Sequence, residues 1–164
     1  MAGEVVIREA VPGELEAVKE LVKAAYREFK GLMPEAAWGR WMESIEAAIR
    51  SPAGMLLVAE QDGRLQGAVK FFPDAAQAAM GEWPRGSALI RILAVWPGAR
   101  GRGLGTLLTE EALSRARALK IPTIFLYTGT FMAAARHIYE KLGFRRAPEF
   151  DRDPGPIAYR LDLP

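Results

Sequence analysis

The sequence predicts a single α/β domain, residues 1–164, on a mixed, mostly antiparallel central sheet flanked by helices. Three observations carry this expectation. The apolar run Ala88–Val95, a glycine-rich stretch, a helical pattern and a second apolar run, Thr123–Thr128, follow one another. A strand–loop–helix–strand crossover of that kind makes its two strands parallel. Asp62-Gly63 separates two strand-like runs, the signal of an antiparallel hairpin. Phe144–Phe150 and Ile157–Leu163 read as a closing antiparallel pair. No internal repeat, low-complexity tract or linker divides the chain, and 164 residues suffice for a substantial core.

The elements follow in order. Val5-Val6-Ile7-Arg8 opens as a strand, and Pro12-Gly13 breaks it. Leu15, Val18, Leu21, Val22, Ala25 and Phe29 recur at helical spacing, which predicts a helix from about Glu14 to Phe29. Gly31 to Pro34 interrupts it. A second helix covers Glu35 to Ile49, with Trp38, Trp41, Met42 and Ile45 on one side, and Ser51-Pro52 ends it. Met55–Glu60 and Leu65–Phe72 are the hairpin strands. The loop Pro73–Gly86 holds Asp74, Glu82 and Trp83, and loops of that length are often functional. Ala88–Val95 is apolar on both faces except at Arg91, as a central strand covered on both sides must be. In the next helix Leu104, Leu107, Leu108, Ala112, Ala116 and Leu119 are expected to face inward. A short helix, Met132 to Leu142, follows Thr123–Thr128; Gly143 caps it and Phe144 makes the contact that accompanies such a cap.

Composition excludes several classes. Net charge is only +2, which does not make a nucleic-acid surface, but residues 97–120 hold five basic against two acidic side chains. There is no cysteine, so disulfides, thiolate metal sites and a cysteine nucleophile are ruled out. One histidine, His137, builds no multi-histidine metal site, and no metal is expected. No segment resembles a signal peptide, and no apolar run reaches the roughly 20 residues of a membrane helix, so a soluble cytoplasmic protein is the default expectation. Asparagine is absent and glutamine is confined to Gln61, Gln66 and Gln77. Both a thermophilic source and a GC-rich genome produce such a composition.

The run Arg100-Gly101-Arg102-Gly103-Leu104-Gly105, set between a strand and a helix start, is the chemically most informative stretch. Glycine allows close backbone approach, and the first turn of a helix offers free N–H groups with a partial positive charge. Two arginines add full charge, and the result suits a phosphate-type anion. A P-loop needs lysine after its last glycine, but Thr106 follows Gly105. A dinucleotide fingerprint needs a third glycine where Thr106 stands and an acid on the next strand, and Thr123–Thr128 has none.

Arg100-x-x-Gly103-x-Gly105 instead resembles the Gln/Arg-x-x-Gly-x-Gly/Ala signature of the GNAT superfamily of acyl-CoA-dependent N-acyltransferases. Leu93-Ala94-Val95-Trp96-Pro97 is similar to the strand that precedes that loop in the family. Tyr139-Glu140-Lys141-Leu142-Gly143-Phe144 is similar to its late motif, and the element order agrees across the chain. The resemblance implies a GNAT-like sheet whose parallel central strands splay apart to take the pantetheine arm of acetyl-CoA. It assigns main-chain pantetheine contacts to Leu93 and Val95, and the pyrophosphate to backbone N–H groups of Arg100, Gly101, Arg102, Gly103, Leu104, Gly105 and Thr106. Met132 stands where the late motif usually opens with asparagine.

The activity implied is acetyl transfer by direct attack of a primary amine, on a small molecule or a protein terminus. By the same resemblance a backbone N–H at Leu93 stabilises the oxyanion, and Tyr139 is the acid for the leaving thiolate. A base is expected from Glu82, with Asp74, Asp151 and Glu35 behind it. Phe29 and Trp83 are the aromatic candidates for an acceptor pocket made by residues 30–36, 73–87 and 148–156; Trp38 and Trp41 are read as core. Many relatives dimerise, so a homodimer is within expectation. The competing function is a catalytically weak acyl-CoA sensor, and neither nucleic acid nor membrane is expected as a partner.

Overall fold

The chain runs β1 (Val6–Glu9), α1 (Leu15–Tyr26), α2 (Glu35–Arg50), β2 (Met55–Gln61), β3 (Arg64–Phe72), β4 (Ala88–Val95), α3 (Leu104–Ala118), β5 (Thr123–Thr128), α4 (Ala133–Lys141), β6 (Arg145–Arg146) and β7 (Ile157–Asp162). The computed structural model describes residues 3–164. Seven strands form one sheet in the order β1-β2-β3-β4-β5-β7-β6. Neighbours are antiparallel except β4 and β5, which the crossover through α3 makes parallel.

Alternation along the strands sorts the core into two layers. On one face Val69 and Phe71 of β3 and Ile90 of β4 meet Leu108, Ala112 and Ala116 of α3. On the other, Ala68 of β3 and Ile92 and Ala94 of β4 meet Val18, Leu21 and Val22 of α1 and Ile45 and Ile49 of α2. Each such fully buried Leu, Ile or Val contributes about 1.5–3 kcal/mol.

Several boundaries differ from the sequence expectations. The first helix ends at Tyr26, and Arg27–Leu32 continues as a 3-10 segment. The loop after β3 contains a short 3-10 turn, Ala75–Ala78, capped by the Asp74 carboxylate. In α3, Leu107 and Leu119 are 42% and 53% exposed, against expectation. The helical period instead turns Leu104, Leu108, Thr109, Ala112, Leu113 and Ala116 inward. The closing pair is shorter than expected: β6 has two residues, because Pro148 starts a 3-10 turn and brings no N–H to the ladder.

The feature that shapes the site is in β4. Val69 pairs with Leu93 and Lys70 with Arg91, which leaves Ile92 as an extra residue in a bulge, with φ +62°. A positive φ is an outlier for a β-branched residue, and such strain persists only where the surroundings enforce it. Pairing of β4 with β5 covers only Ala88–Ile90 against Ile124–Leu126. Beyond the bulge the parallel strands have no further ladder between them.

Candidate active site

The site is built where β4 leaves β5. Backbone polarity there is set by the pairing with β3. The Trp96 N–H donates to the Gln66 carbonyl of β3 at 2.9 Å, whereas the Leu93 carbonyl accepts from the Tyr26 hydroxyl at 2.9 Å. In extended backbone the N–H and C=O of one residue share a side and successive residues alternate. Leu93 and Val95 therefore turn their main-chain groups away from β3, into the gap.

After β4 the chain makes a 3-10 turn, Pro97–Ala99, and enters α3 through Gly103, whose φ of +78° is the left-handed conformation that glycine takes without cost. The Leu107 N–H is the first to fold back, to the Gly103 carbonyl at 3.0 Å. The N–H groups of Gly103, Leu104, Gly105 and Thr106 have no backbone partner among the described residues. They are the free donors of a helix start and carry its positive dipole end. Gly105 serves a different purpose: a Cβ there would lie 2.8 Å from Ile138 Cδ1, 3.7 Å from Leu93 Cδ2 and 3.9 Å from Val95 Cγ2. Its missing Cβ lets the start of α3 pack closely against Ile138 of α4 and the β4 side chains.

These groups wall a cavity of about 590 Å³ that runs from the 100–106 loop past Leu93 and Val95 to the start of α4. The end of α1 contributes Ala25 and Tyr26, the segment after it Glu28 and Phe29, and the α4 side Phe131, Met132, His137 and Ile138. Aromatic rings close one side, Phe29 against Phe131 at 5.1 Å and Tyr26 stacked on Trp41 at 5.1 Å. The Arg100 guanidinium sits at the wall, bonded to the Glu28 carboxylate and to the Ala25 carbonyl at 2.8 Å. Arg102 turns away from the cavity and donates to Gln61 Oε1 at 3.1 Å and to the Ala99 carbonyl at 3.4 Å. Met132 sulfur, a weak acceptor, takes the Gly129 N–H at 3.4 Å just beyond the end of β5.

Tyr139 is 4% exposed and lies behind the wall, its ring 5.7 Å from Phe144 and 6.4 Å from Tyr159, in the same apolar cluster as Leu93 and Leu104. Burial, with Tyr26 close by, pushes its phenol well above the usual tyrosine range, so it stays protonated. The Tyr139 hydroxyl has no hydrogen bond among the described residues, whereas that of Tyr26 is committed to Leu93. Burial also raises the Tyr26 phenol.

The expected bases are placed elsewhere. Glu82 is exposed and off the cavity wall, because Trp83 beside it anchors the loop on Phe125, Tyr127 and Phe150 at 5.0, 4.8 and 5.4 Å. That packing also takes Trp83 out of the wall. Asp151 is engaged by Arg146 and by the Ala158 N–H at 2.7 Å. Asp74 caps the turn it begins, and Glu35 is exposed in the first turn of α2. The residues that sequence reading missed are Tyr26 and Glu28. Tyr26 sits one position after Ala25 on the inward face of α1, which was the available signal.

Residues 15–144 match the model of the acetyltransferase (GNAT) family. A curated mycothiol acetyltransferase of Cellulomonas flavigena is 40% identical over 99 residues, 58% of this chain and 27% of that protein. One of Streptomyces avermitilis is 41% identical over 93 residues, 57% of this chain and 27% of that protein. The chain thus spans about a quarter of the length of these curated relatives. Among solved structures, the PaiA N-acetyltransferase of Thermoplasma acidophilum in complex with coenzyme A aligns over 98% of this chain and 99% of that chain, with a TM-score of 0.75 at 17% identity. A GNAT family acetyltransferase of Brucella melitensis in complex with acetyl-CoA aligns over 98% and 92%, with a TM-score of 0.67 at 22% identity. At these identities the likeness is one of fold.

Proposed function

The chain belongs to the acetyltransferase (GNAT) family, and from that premise we propose that it moves an acetyl group from acetyl-CoA to a primary amine. The observation that carries this reading is the set of free N–H groups at the start of α3, opening onto a cavity that follows the unpaired end of β4. The residues present fit coenzyme A: the donors suit a pyrophosphate, and the cavity continues from them past Leu93 and Val95 to the start of α4, with room for an extended arm. The solved relatives in complex with coenzyme A and acetyl-CoA, and the curated relatives named as acetyltransferases, support the same donor and chemistry.

Acetyl-CoA supplies the activated thioester when bound. The N–H groups of Gly103 to Thr106 hold its pyrophosphate, each contact at a helix start contributing about 0.3–1 kcal/mol. The Leu93 N–H, on the cavity side of β4, donates to the carbonyl oxygen where negative charge develops. Holding the amine against that carbon supplies much of the rate. Tyr139 is the acid: its proton is uncommitted and goes to the departing sulfur, and the proton that the attacking nitrogen sheds restores the phenol. Tyr26 instead fixes the Leu93 peptide by bonding its carbonyl.

The test is coenzyme A release from acetyl-CoA with a panel of primary amines. Release that depends on the amine supports the reading. Tight acetyl-CoA binding with no release over the whole panel turns it toward a sensor that binds the cofactor without transferring the acetyl group. Because Glu28 competes with any anion for the Arg100 guanidinium, Glu28→Gln is expected to tighten coenzyme A binding up to about 5-fold by calorimetry, the about 0.2–1 kcal/mol of an exposed ion pair.

A further inference from the structure

Lys70 and Arg91 face one another across β3 and β4 in direct register. Both side chains lie on the α1–α2 face of the sheet. Lys70 is 2% exposed and its Nζ donates to the Ser51 carbonyl, at the end of α2, at 2.9 Å. Arg91 is partly buried and donates to the Ser44 hydroxyl at 2.5 Å and the Ser44 carbonyl at 3.4 Å. Among the described residues neither cation has a carboxylate within 4.0 Å. Like charges directly opposite in a sheet repel. The carbonyl end of α2 serves Lys70, as a helix C-terminus serves a cation. For Arg91 there is only a serine at the helix surface.

Arg91 immediately precedes the bulge at Ile92 and stands two residues before Leu93. On the same face of the sheet α1 places Tyr26, whose hydroxyl is bonded to the Leu93 carbonyl. The geometry points to Arg91 as the specificity residue of the acceptor site: it binds the carboxylate of an amine that carries one a few bonds from its nitrogen, such as an amino acid. This rests on the acetyl-transfer reading and names its substrate class. The planar fork of arginine meets a carboxylate with two parallel hydrogen bonds, and the missing counter-charge then arrives with the acceptor.

The experiment has two arms. In the first, amino acids are compared with their own amides as acceptors for acetyl-CoA. The expected result is at least about a 10-fold higher kcat/KM for the acids, about 1.4 kcal/mol, lost in Arg91→Gln, partly kept in Arg91→Lys, and with coenzyme A binding by calorimetry unchanged in both. In the second, the Arg91 Nε–H resonance, assigned through Arg91→Gln, is followed during titration with acetate and with acetamide. It is expected to move with acetate alone. Equal use of acids and amides, or a preference that survives in Arg91→Gln, overturns the inference, as does an acetate titration that leaves the resonance still. If acetate moves the resonance but no amine is acetylated, the anion site stands and the transferase reading falls.

Discussion

Tyr139→Phe is expected to lower kcat about 100-fold, the usual contribution of a positioned general acid, with the Kd for coenzyme A unchanged. The prediction is sharp because the substitution removes little else. The Tyr139 hydroxyl makes no hydrogen bond among the described residues, and its ring is held by Phe144, Tyr159 and their neighbours, all contacts that phenylalanine keeps. Losing a hydroxyl that bonds to no protein group costs the fold little, so the thermal midpoint should hold near the wild-type value. Tyr26→Phe gives the opposite profile. It orphans the Leu93 carbonyl, costs about 1–3 kcal/mol of stability, and loosens the peptide that carries the oxyanion donor. Because burial holds the Tyr139 phenol above its ordinary range, the wild-type rate should show no decline from this group as pH rises through that range. An unaltered kcat in Tyr139→Phe removes this residue from the mechanism.

How much of this was legible in the sequence follows from what each feature depends on. The hairpin at Asp62-Gly63, the parallel pair around α3 and the loop from Arg100 to Gly105 rest on local patterns of glycine and apolar residues, and each stands where it was expected. The bulge at Ile92 was not legible. An isoleucine gives no hint of positive φ, and only the two-sided packing of β4 forces it there. The splay of the strands was implied by family resemblance, but its local cause was invisible. The same holds for the bases: Glu82 reads as an available carboxylate until Trp83 is seen to pin its loop to β5, and Asp151 until Arg146 and the Ala158 N–H take its oxygens. Pairings such as Lys70 with Arg91 need register, which a single sequence does not supply.

Gly103→Val and Gly105→Val should both cut coenzyme A affinity by more than about 100-fold, a loss of about 2.7 kcal/mol, for different physical reasons. At Gly103 nothing lies within 4 Å of an added Cβ, so the side chain meets no obstacle in the protein. Its cost is conformational: φ of +78° strains any residue with a Cβ, by about 1–3 kcal/mol, and a branched one most. The loop relieves that strain by rotating, which swings the neighbouring N–H groups off the anion while the core is untouched. At Gly105 the backbone tolerates valine as helix, but the added Cβ falls 2.8 Å from Ile138 Cδ1 and pushes that side chain, part of the cavity wall, out of place. The branched side chain forces Ile138, Leu93 and Val95 apart, so this variant should also lower the thermal midpoint, whereas in Gly105→Ala the end of the flexible Ile138 side chain need only swing aside and the better helix propensity of alanine, about 1 kcal/mol, offsets it. Calorimetry with coenzyme A and a thermal melt separate the two mechanisms: loss of binding with the midpoint held near wild type at Gly103, loss of both at Gly105. Retained affinity in both variants would place the anion site elsewhere in the fold.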